Sequence, residues 1–318
     1  MDRTRRISFV IPLLNEEESL SELHGQIRQS VELLSWDYEI IFIDDGSTDG
    51  SLAILEDLYE SDPDHVRVIQ FRRNFGKTAA MTAGFAHAQG NIVVTLDADL
   101  QDDPGELPKL LAKVEEGYDL VVGWRANRQD PASKTWPSKL FNAAVSLLTG
   151  VKLHDFNTGF KMYRREVVQD LRLYGELHRF VPVLAHWQGY RVAEVPVTHH
   201  ARQFGKSKYG LRRVAWFVDF LSVLFLTTYL KRPMRLFGMM GSVFAGSGLL
   251  IMLYLGGVWL IEGGIGWRPL LFFGTTALVV GIQLISVGLL GEMLRNITFR
   301  AEEEYSIRRI WGPSADHS

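Results

Sequence analysis

Two long stretches of this chain carry no charged side chain: Leu236 to Ile261 and Pro269 to Gly291. Each exceeds the roughly 20 residues that a helix needs to span the hydrocarbon layer of a bilayer. Either both cross a membrane, or both fold into a buried soluble hairpin, and a small domain has little with which to cover two of them. Gly241, Gly246, Gly248, Gly281 and Gly288 would let two spanning helices approach closely. The flanking charge is asymmetric. Lys231, Arg232 and Arg235 precede the first stretch, Arg295, Arg300, Arg308 and Arg309 follow the second, and the link from Glu262 to Arg268 carries one arginine. Positive charge collects on the cytoplasmic side of membrane proteins. The expectation is a multi-pass protein of the inner (plasma) membrane, with the N-terminal domain and both termini in the cytoplasm. Its expected spans are 234–262 and 268–292, with a tail over 293–318.

The rest of the 318 residues suffices for one large domain, expected over 1–210. A formal net charge of −3 argues against a nucleic-acid binder. The absence of cysteine excludes disulfides, thiolate zinc sites and a cysteine nucleophile. The opening MDRTRR leads into a strand-like run without an apolar core, so no signal peptide is expected. Strands are predicted at Ile7–Pro12, Tyr38–Ile43, Val66–Phe71, Ile92–Leu96, Leu120–Gly123 and Val192–Thr198. Helices are predicted from Glu16 to Leu34, Ser51 to Ser61, Thr78 to Gln89 and Gly105 to Glu116. Such alternation with short connections predicts an α/β fold, a largely parallel Rossmann-like sheet with helices on both faces. Ligands of such sheets lie outside the C-terminal strand ends. Pro12, Asn15 and Glu16, then Asp44, Asp45 and Gly46, then Lys77, then Asp97 and Asp99 all fall there. No Gly-x-Gly-x-x-Gly follows the first strand and no Walker-type loop is present, which disfavours dinucleotide binding and P-loop chemistry.

Asp97 and Asp99 close the apolar run Ile92–Leu96. On extended backbone, residues two apart point the same way, and adjacent carboxylates repel unless a cation lies between them. Hard oxygen ligands, few in number, suit Mg²⁺ or Mn²⁺ completed by substrate phosphate. Taken alone, the pair reads equally as a turn with solvated aspartates. Arg125, on a basic loop after a strand, could meet a phosphate through its planar fork. Trp136 to Leu148 is amphipathic, and an interface helix is expected over 134–150. The apolar segment from Val214 to Leu230 is broken by Asp219, so 211–233 is expected to lie in the membrane interface. Between these, Arg202, Lys206 and Lys208 form a basic loop hinged at Gly205 that suits a phosphate or headgroup. The adjacent His199 and His200 lack zinc-ligand spacing. The segment from Arg300 to Trp311 is expected as a helix or strand at the membrane surface.

Four blocks then carry a resemblance: Val10-Ile11-Pro12-Leu13-Leu14-Asn15-Glu16-Glu17, Ile43-Asp44-Asp45-Gly46-Ser47-Thr48-Asp49, Arg73-Asn74-Phe75-Gly76-Lys77 and Asp97-Ala98-Asp99-Leu100-Gln101. In this order they resemble the family 2 glycosyltransferases of the A-type nucleotide-sugar fold, in particular the polyprenyl-phosphate branch that includes dolichyl-phosphate mannose synthases and bactoprenol glucosyltransferases. The resemblance extends over roughly Ile7 to Tyr209. It implies that Asp44 and the Pro12/Glu16 turn hold base and ribose, with Asn15, Asp45, Gly46 and Lys77 in the same nucleotide-sugar site. It also implies that Asp97 and Asp99 hold the metal on the diphosphate, joined by Gln101. In the Asp155-Phe156-Asn157-Thr158-Gly159-Phe160-Lys161 block the family's aspartate is a proposed base, so Asp155 joins Asp99 and Arg125 as catalytic candidates. The basic loop, with Ser207, would close on the donor and hold the lipid phosphate.

The implied reaction is metal-dependent, inverting transfer of a hexose, with glucose from UDP-glucose as first choice, to a membrane polyprenyl phosphate. Family members also self-associate. Two other functions fit parts of the chain: a processive polysaccharide synthase, whose Gln-x-x-Arg-Trp block is missing here, and a non-catalytic membrane scaffold with a vestigial nucleotide-sugar site.

Overall fold

The computed structural model describes residues 5–34, 36–126, 142, 145–146, 149–171, 173, 175, 177–200, 233–264, 269–297 and 307–311. Elements alternate from the start: β1 (Arg6–Leu13), α1 (Leu20–Glu32), β2 (Asp37–Asp44), α2 (Ser51–Ser61), β3 (Val66–Phe71), α3 (Lys77–His87), β4 (Ile92–Thr95), α4 (Leu107–Glu115) and β5 (Leu120–Arg125). β6 (Lys161–Arg164), short helices at Arg165–Asp170 and Val181–Trp187, and β7 (Val192–Val197) follow. A last strand, β8, is formed by Ile307–Trp311. The sheet order is β7-β5-β6-β4-β1-β2-β3-β8.

β1, β2, β3 and β4 run parallel, as do β5 and β7, while β6 is antiparallel to both β4 and β5. The central strands are mostly apolar because helices cover both their faces, and their polar residues Ser8, Glu39, Arg67 and Gln70 are themselves buried. Ile7, Phe9, Val10, Ile11, Ile40 and Ile41 have no exposed surface. Each such side chain contributes roughly 1.5–3 kcal/mol on burial. Helix α1 turns Leu20, Leu23, Ile27 and Val31 into this core at helical spacing.

Two features differ from the sequence expectation. Helix α1 starts at Leu20, not Glu16, because the chain turns first: Asn15 adopts φ 52° and the Glu16 amide donates to Ser51 Oγ at 2.9 Å. The tail strand β8 pairs antiparallel with β3 and closes that edge of the sheet, a use of the chain end that its own pattern does not announce.

Contacts divide the chain into one unit of residues 1–216 with 303–318, and a second of residues 217–302. The second contains helices Pro233–Glu262 and Pro269–Ile297, the latter running five residues past the expected 292. Over Met234–Glu262 and Pro269–Gly291 these are long and apolar enough to cross a membrane, with mean hydropathy of 1.9 and 2.1 and only 11% of each apolar window buried. Leu250, Leu260 and Phe273 are exposed, which is not the surface of a soluble core hairpin. The helices pack through their small residues. A Cβ on Gly241 would lie 2.7 Å from the Gly281 carbonyl oxygen, and one on Gly248 would lie 2.6 Å from the Leu278 amide. Gly288 packs near Phe237, whereas Gly246 faces open space and plays no part in the contact. Of the expected interface helices, residues 211–232 and most of 134–150 lie outside the described residues. Asn142 in the latter donates to the His154 carbonyl at 2.6 Å, and Val145 is buried.

Candidate active site

The parallel register brings the ends of β1, β2, β3 and β4 to one rim. Leu13 lies beside Asp44, Asp44 beside Gln70, and Val10 beside Thr95. β5 ends at Arg125 on the same side. Because β6 runs the other way, its beginning, Lys161, and the block before it arrive there too.

The first part of the rim is stitched by side chains. The Asn15 amide donates to Ser47 Oγ at 2.9 Å, and the Thr48 amide donates to Asn15 Oδ1 at 2.8 Å. Glu17 accepts from the Gly50 amide at 2.6 Å. Asp44 is fully buried; its Oδ1 accepts from the Ser47 amide at 2.9 Å, while its Oδ2 has no hydrogen-bond partner among the described residues. A buried carboxylate oxygen without a donor is costly, and it marks the place where a ligand hydroxyl or N–H would fit. Asp45 differs. Its two oxygens accept from the amides of Phe75 at 2.7 Å and Gly76 at 2.9 Å. Burial pushes its carboxyl upward against the pull of those amides. Asp45 therefore shapes the Arg73–Gly76 loop. Gly46 has φ 78°, and a Cβ there would lie 2.7 Å from the Arg73 carbonyl carbon.

The acid pair is not an extended strand. β4 stops at Thr95, Ala98 and Asp99 form a turn, and Leu100 takes φ 58°. The period-two argument for a shared direction therefore fails, and the placement of each carboxylate comes from its neighbours. Asp97 pairs with Lys77, the first residue of α3, and sits against Gly159, where a Cβ would lie 2.5–2.6 Å from the carboxyl atoms. Burial works to raise its pKa, but Lys77, Lys161 and Arg125 outweigh this and hold it below the ordinary range. Asp99 is 8% exposed, with Oδ1 accepting from the Gln101 amide at 3.3 Å. The Gln101 carbonyl accepts from the His200 amide at 2.8 Å, and Asp102 bridges His199. The acidic turn is thus tied to the start of the basic loop. Arg202, Lys206, Ser207 and Lys208 of that loop lie outside the described residues.

Arg125 and Asp155 come together as a bidentate pair, Nε to Oδ2 at 2.7 Å and a terminal nitrogen to Oδ1 at 3.1 Å. Asp155 is 2% exposed. A carboxylate clamped in this way has both oxygens turned to the guanidinium and orients it.

A cleft opens between Pro12, Lys77, Leu96, Asp97, Gly159, Lys161, His178 and Arg179. His178 and Arg179 are absent from the sequence reading, and Lys161 stands in its Asp155 block without a role. Lys161 is 3% exposed, and burial, then Lys77, bring its ammonium down to about 8. Its signal was a lysine inside the apolar run Phe160 to Met162, facing inward. His178 Nδ1 lies 2.7 Å from Thr78 Oγ1, and burial, then Lys77, keep its ring neutral. No sequence signal marks it.

The oxygen donors of Asp97, Asp99 and the Gln101 side chain suit a hard divalent ion. Among the described residues no group of three or more His, Cys, Asp or Glu side chains is assembled for a metal. An ion here would draw its remaining ligands from a substrate, as Mg²⁺ and Mn²⁺ do at phosphates.

Comparison with known proteins agrees with this architecture. The model of glycosyl transferase family 2 matches residues 8–172. A dodecaprenyl-phosphate galacturonate synthase of Rhizobium johnstonii is 38% identical over 313 residues, covering 96% of this chain and 93% of that protein. An undecaprenyl-phosphate 4-deoxy-4-formamido-L-arabinose transferase of Proteus mirabilis is 36% identical over 322 residues, covering 98% and 95%. Glucosyl-3-phosphoglycerate synthase from Mycobacterium tuberculosis, crystallised with Mn²⁺, UDP-glucose and phosphoglyceric acid, shares the fold at a TM-score of 0.52 and 22% identity, over 69% of this chain and 80% of that one.

Proposed function

The chain belongs to glycosyl transferase family 2 and is a glycosyltransferase, and from that premise we propose that it moves a sugar from a nucleoside-diphosphate donor to a membrane polyprenyl phosphate, with inversion. The observation that carries the reading is the rim itself: an unpartnered Asp44 oxygen at one end, the Asp97–Asp99 turn in the middle, and a cationic cleft beyond it. The two relatives, matched over nearly their whole length, are named for polyprenyl-phosphate sugar products. The two apolar helices suit an acceptor that does not dissolve in water.

In this reading Asp44, with Pro12, Asn15 and Glu16, holds base and ribose, and Asp45 and Gly46 shape the loop behind them. Asp97, Asp99 and Gln101 would hold Mg²⁺ or Mn²⁺, which when bound would neutralise the leaving diphosphate. Lys77 keeps Asp97 ionised and fixed. Arg125, oriented by Asp155, presents its free edge to a phosphate. The acceptor is a phosphate monoester, largely ionised at neutral pH, so its oxygen attacks the anomeric carbon without a general base. Asp155 is therefore a positioning residue. Arg202, Lys206, Ser207 and Lys208 would meet the lipid phosphate. The catalytic unit and both termini face the cytoplasm in this scheme, on the flanking arginine and lysine bias. Among sugars, the sequence alone favoured glucose from UDP-glucose; neither relative is named for it, and charge in the cleft bears on the choice below.

The test is transfer from a panel of sugar nucleotides to one polyprenyl phosphate, with Mn²⁺, using full-length protein in detergent. Asp99→Asn should lower metal-dependent transfer by about 100-fold or more. Near-normal, metal-dependent transfer by this variant would remove the metal assignment.

A further inference from the structure

Charges around the cleft do not cancel. Lys77 is taken by Asp97, and Arg125 by Asp155. Lys161 is left over. An ammonium has three donors, yet among the described residues this one, 3% exposed, makes a single hydrogen bond, to the Thr158 carbonyl. Burying a cation in this way is expensive unless an anion joins it. The two carboxylates that act on it, Asp97 and Asp155, are each ion-paired to another cation, Lys77 and Arg125, and His178 beside the cleft is neutral. The cleft supplies access, because Lys161 lines it together with Lys77, Asp97, Gly159 and His178. The cleft runs from Pro12 and Lys77 past Asp97 to Gly159 and Lys161, and the Asp44–Asp45 turn takes no part in its lining. With the nucleoside between that turn and Pro12, and the diphosphate at Asp99, Lys161 lies at the end of the cleft away from Pro12, where the part of the donor beyond the diphosphate would enter.

We propose that the donor is a nucleoside-diphosphate uronic acid, and that Lys161 is the specificity-determining residue that receives the sugar carboxylate. The assignment rests on the sugar-transfer reading above. Its chemistry is that of an anionic oxygen group, so a phosphate of the donor or of the lipid is the competing occupant.

The experiment compares UDP-glucuronate and UDP-galacturonate with UDP-glucose, UDP-galactose and UDP alone. Binding is followed by calorimetry on the full-length protein with Mn²⁺, and transfer is followed with polyprenyl phosphate. Wild type should favour a uronate over its neutral counterpart by roughly 10- to 100-fold, the scale of one hydrogen bond to a charged group. Lys161→Met should collapse that preference to within about threefold while leaving the affinity for UDP alone unchanged; Lys161→Arg should restore part of it. A wild type that binds the neutral sugars as well as the uronates overturns the proposal, and this arm needs no variant to fold. Weakened binding of UDP alone in Lys161→Met assigns the lysine to the diphosphate instead. A change confined to the KM for polyprenyl phosphate assigns it to the lipid. Selective uronate binding without transfer to any polyprenyl phosphate supports the carboxylate site and overturns the acceptor, so the two readings fail separately.

Discussion

Replacing Lys161 with methionine should make the folded protein more stable while harming its function. The side chain sits at the head of β6 with 3% of its surface exposed, and its ammonium is brought from 10.5 to about 8, first by burial and then by Lys77. Each unit of pKa is worth about 1.4 kcal/mol, so the charged form costs the fold about 3 kcal/mol. Because the folded value lies below the unfolded one, the unfolded chain binds more protons between about pH 8 and 10.5. Wild-type stability therefore rises as pH climbs through that window, and the whole penalty is in force below it. Methionine keeps the stem's packing, removes the charge and forfeits the bond to Thr158, worth about 1 kcal/mol. The net gain near neutral pH is about 2 kcal/mol, which for a unit of this size is a midpoint shift of roughly 5 °C. The assay is thermal unfolding of the full chain in detergent, with chelator and no donor, followed by tryptophan fluorescence at about pH 7 and about pH 9.5. The variant should melt higher at the lower pH, and the gap should narrow at the higher one. A variant that melts lower near neutrality, or a gap that ignores pH, would show that Lys161 already has its counter-charge within the fold and would refute the reasoning.

Other substitutions test the neighbouring parts. Gly159→Ala places a Cβ 2.5–2.6 Å from the Asp97 carboxyl atoms. Swinging that group out should lower transfer by about 100-fold with little change in circular dichroism, and unchanged turnover would show that Asp97 is not needed where it stands. Lys77→Met should raise the Asp97 pKa, since Lys77 is the largest influence holding it down against burial. A depressed carboxyl stabilises the fold above its unfolded pKa and loses that contribution on acidification. The variant should therefore lose stability at a higher pH than wild type in an acid titration; coincident titrations would dissolve the ion pair as a stabilising element. Gly281→Leu, directed at the Ala245 backbone, should pry the long helices apart and lower the detergent-resistant melting point. A tolerated leucine would mean the helices do not associate along that line.

The parallel part of the sheet was legible because its strands are buried on both faces and so read as unbroken apolar runs, each followed by a polar turn. Asp44, Lys77 and the Asp97–Asp99 pair were found by that rule. The rule is silent about antiparallel insertions. β6 is only four residues long, begins with a lysine and follows the Asn157-Thr158-Gly159 turn, so neither alternation nor apolar length marked it. Missing β6 meant missing the burial and role of Lys161, although the block that recovered Asp155 also contains it. The β8 segment was expected as a helix or strand at the membrane surface; its pairing with β3 was hidden, because a strand that completes an edge draws its stability from backbone hydrogen bonds more than from its own pattern. His178 reaches the cleft through a short helical turn, Leu177–Phe180, whose place is set wholly by tertiary packing.

The insertion of β6 also explains why the site is built from ion pairs between distant segments. Three positions of the rim, at the starts of α3 and β6 and the end of β5, each contribute a cation, and the acids that answer them come from two loops, Asp97 after β4 and Asp155 before β6. Each acid saturates one partner and also fixes the other's geometry, so neither pair can be weakened without moving the floor of the cleft. Local rules of stability would have filled the third position with an apolar residue, as the neighbouring Phe160 and Met162 show. A buried cation kept where an aliphatic side chain would pack is a departure from consistency of the kind that binding sites impose on a fold; Asp97 and Asp155 relieve it in part, and a ligand that brings its own negative charge would relieve the rest. The stability gain expected of Lys161→Met and the donor preference expected of the wild type are therefore one free energy seen from two sides. If the first is found without the second, the anion that completes the site is a phosphate, and the sugar is neutral.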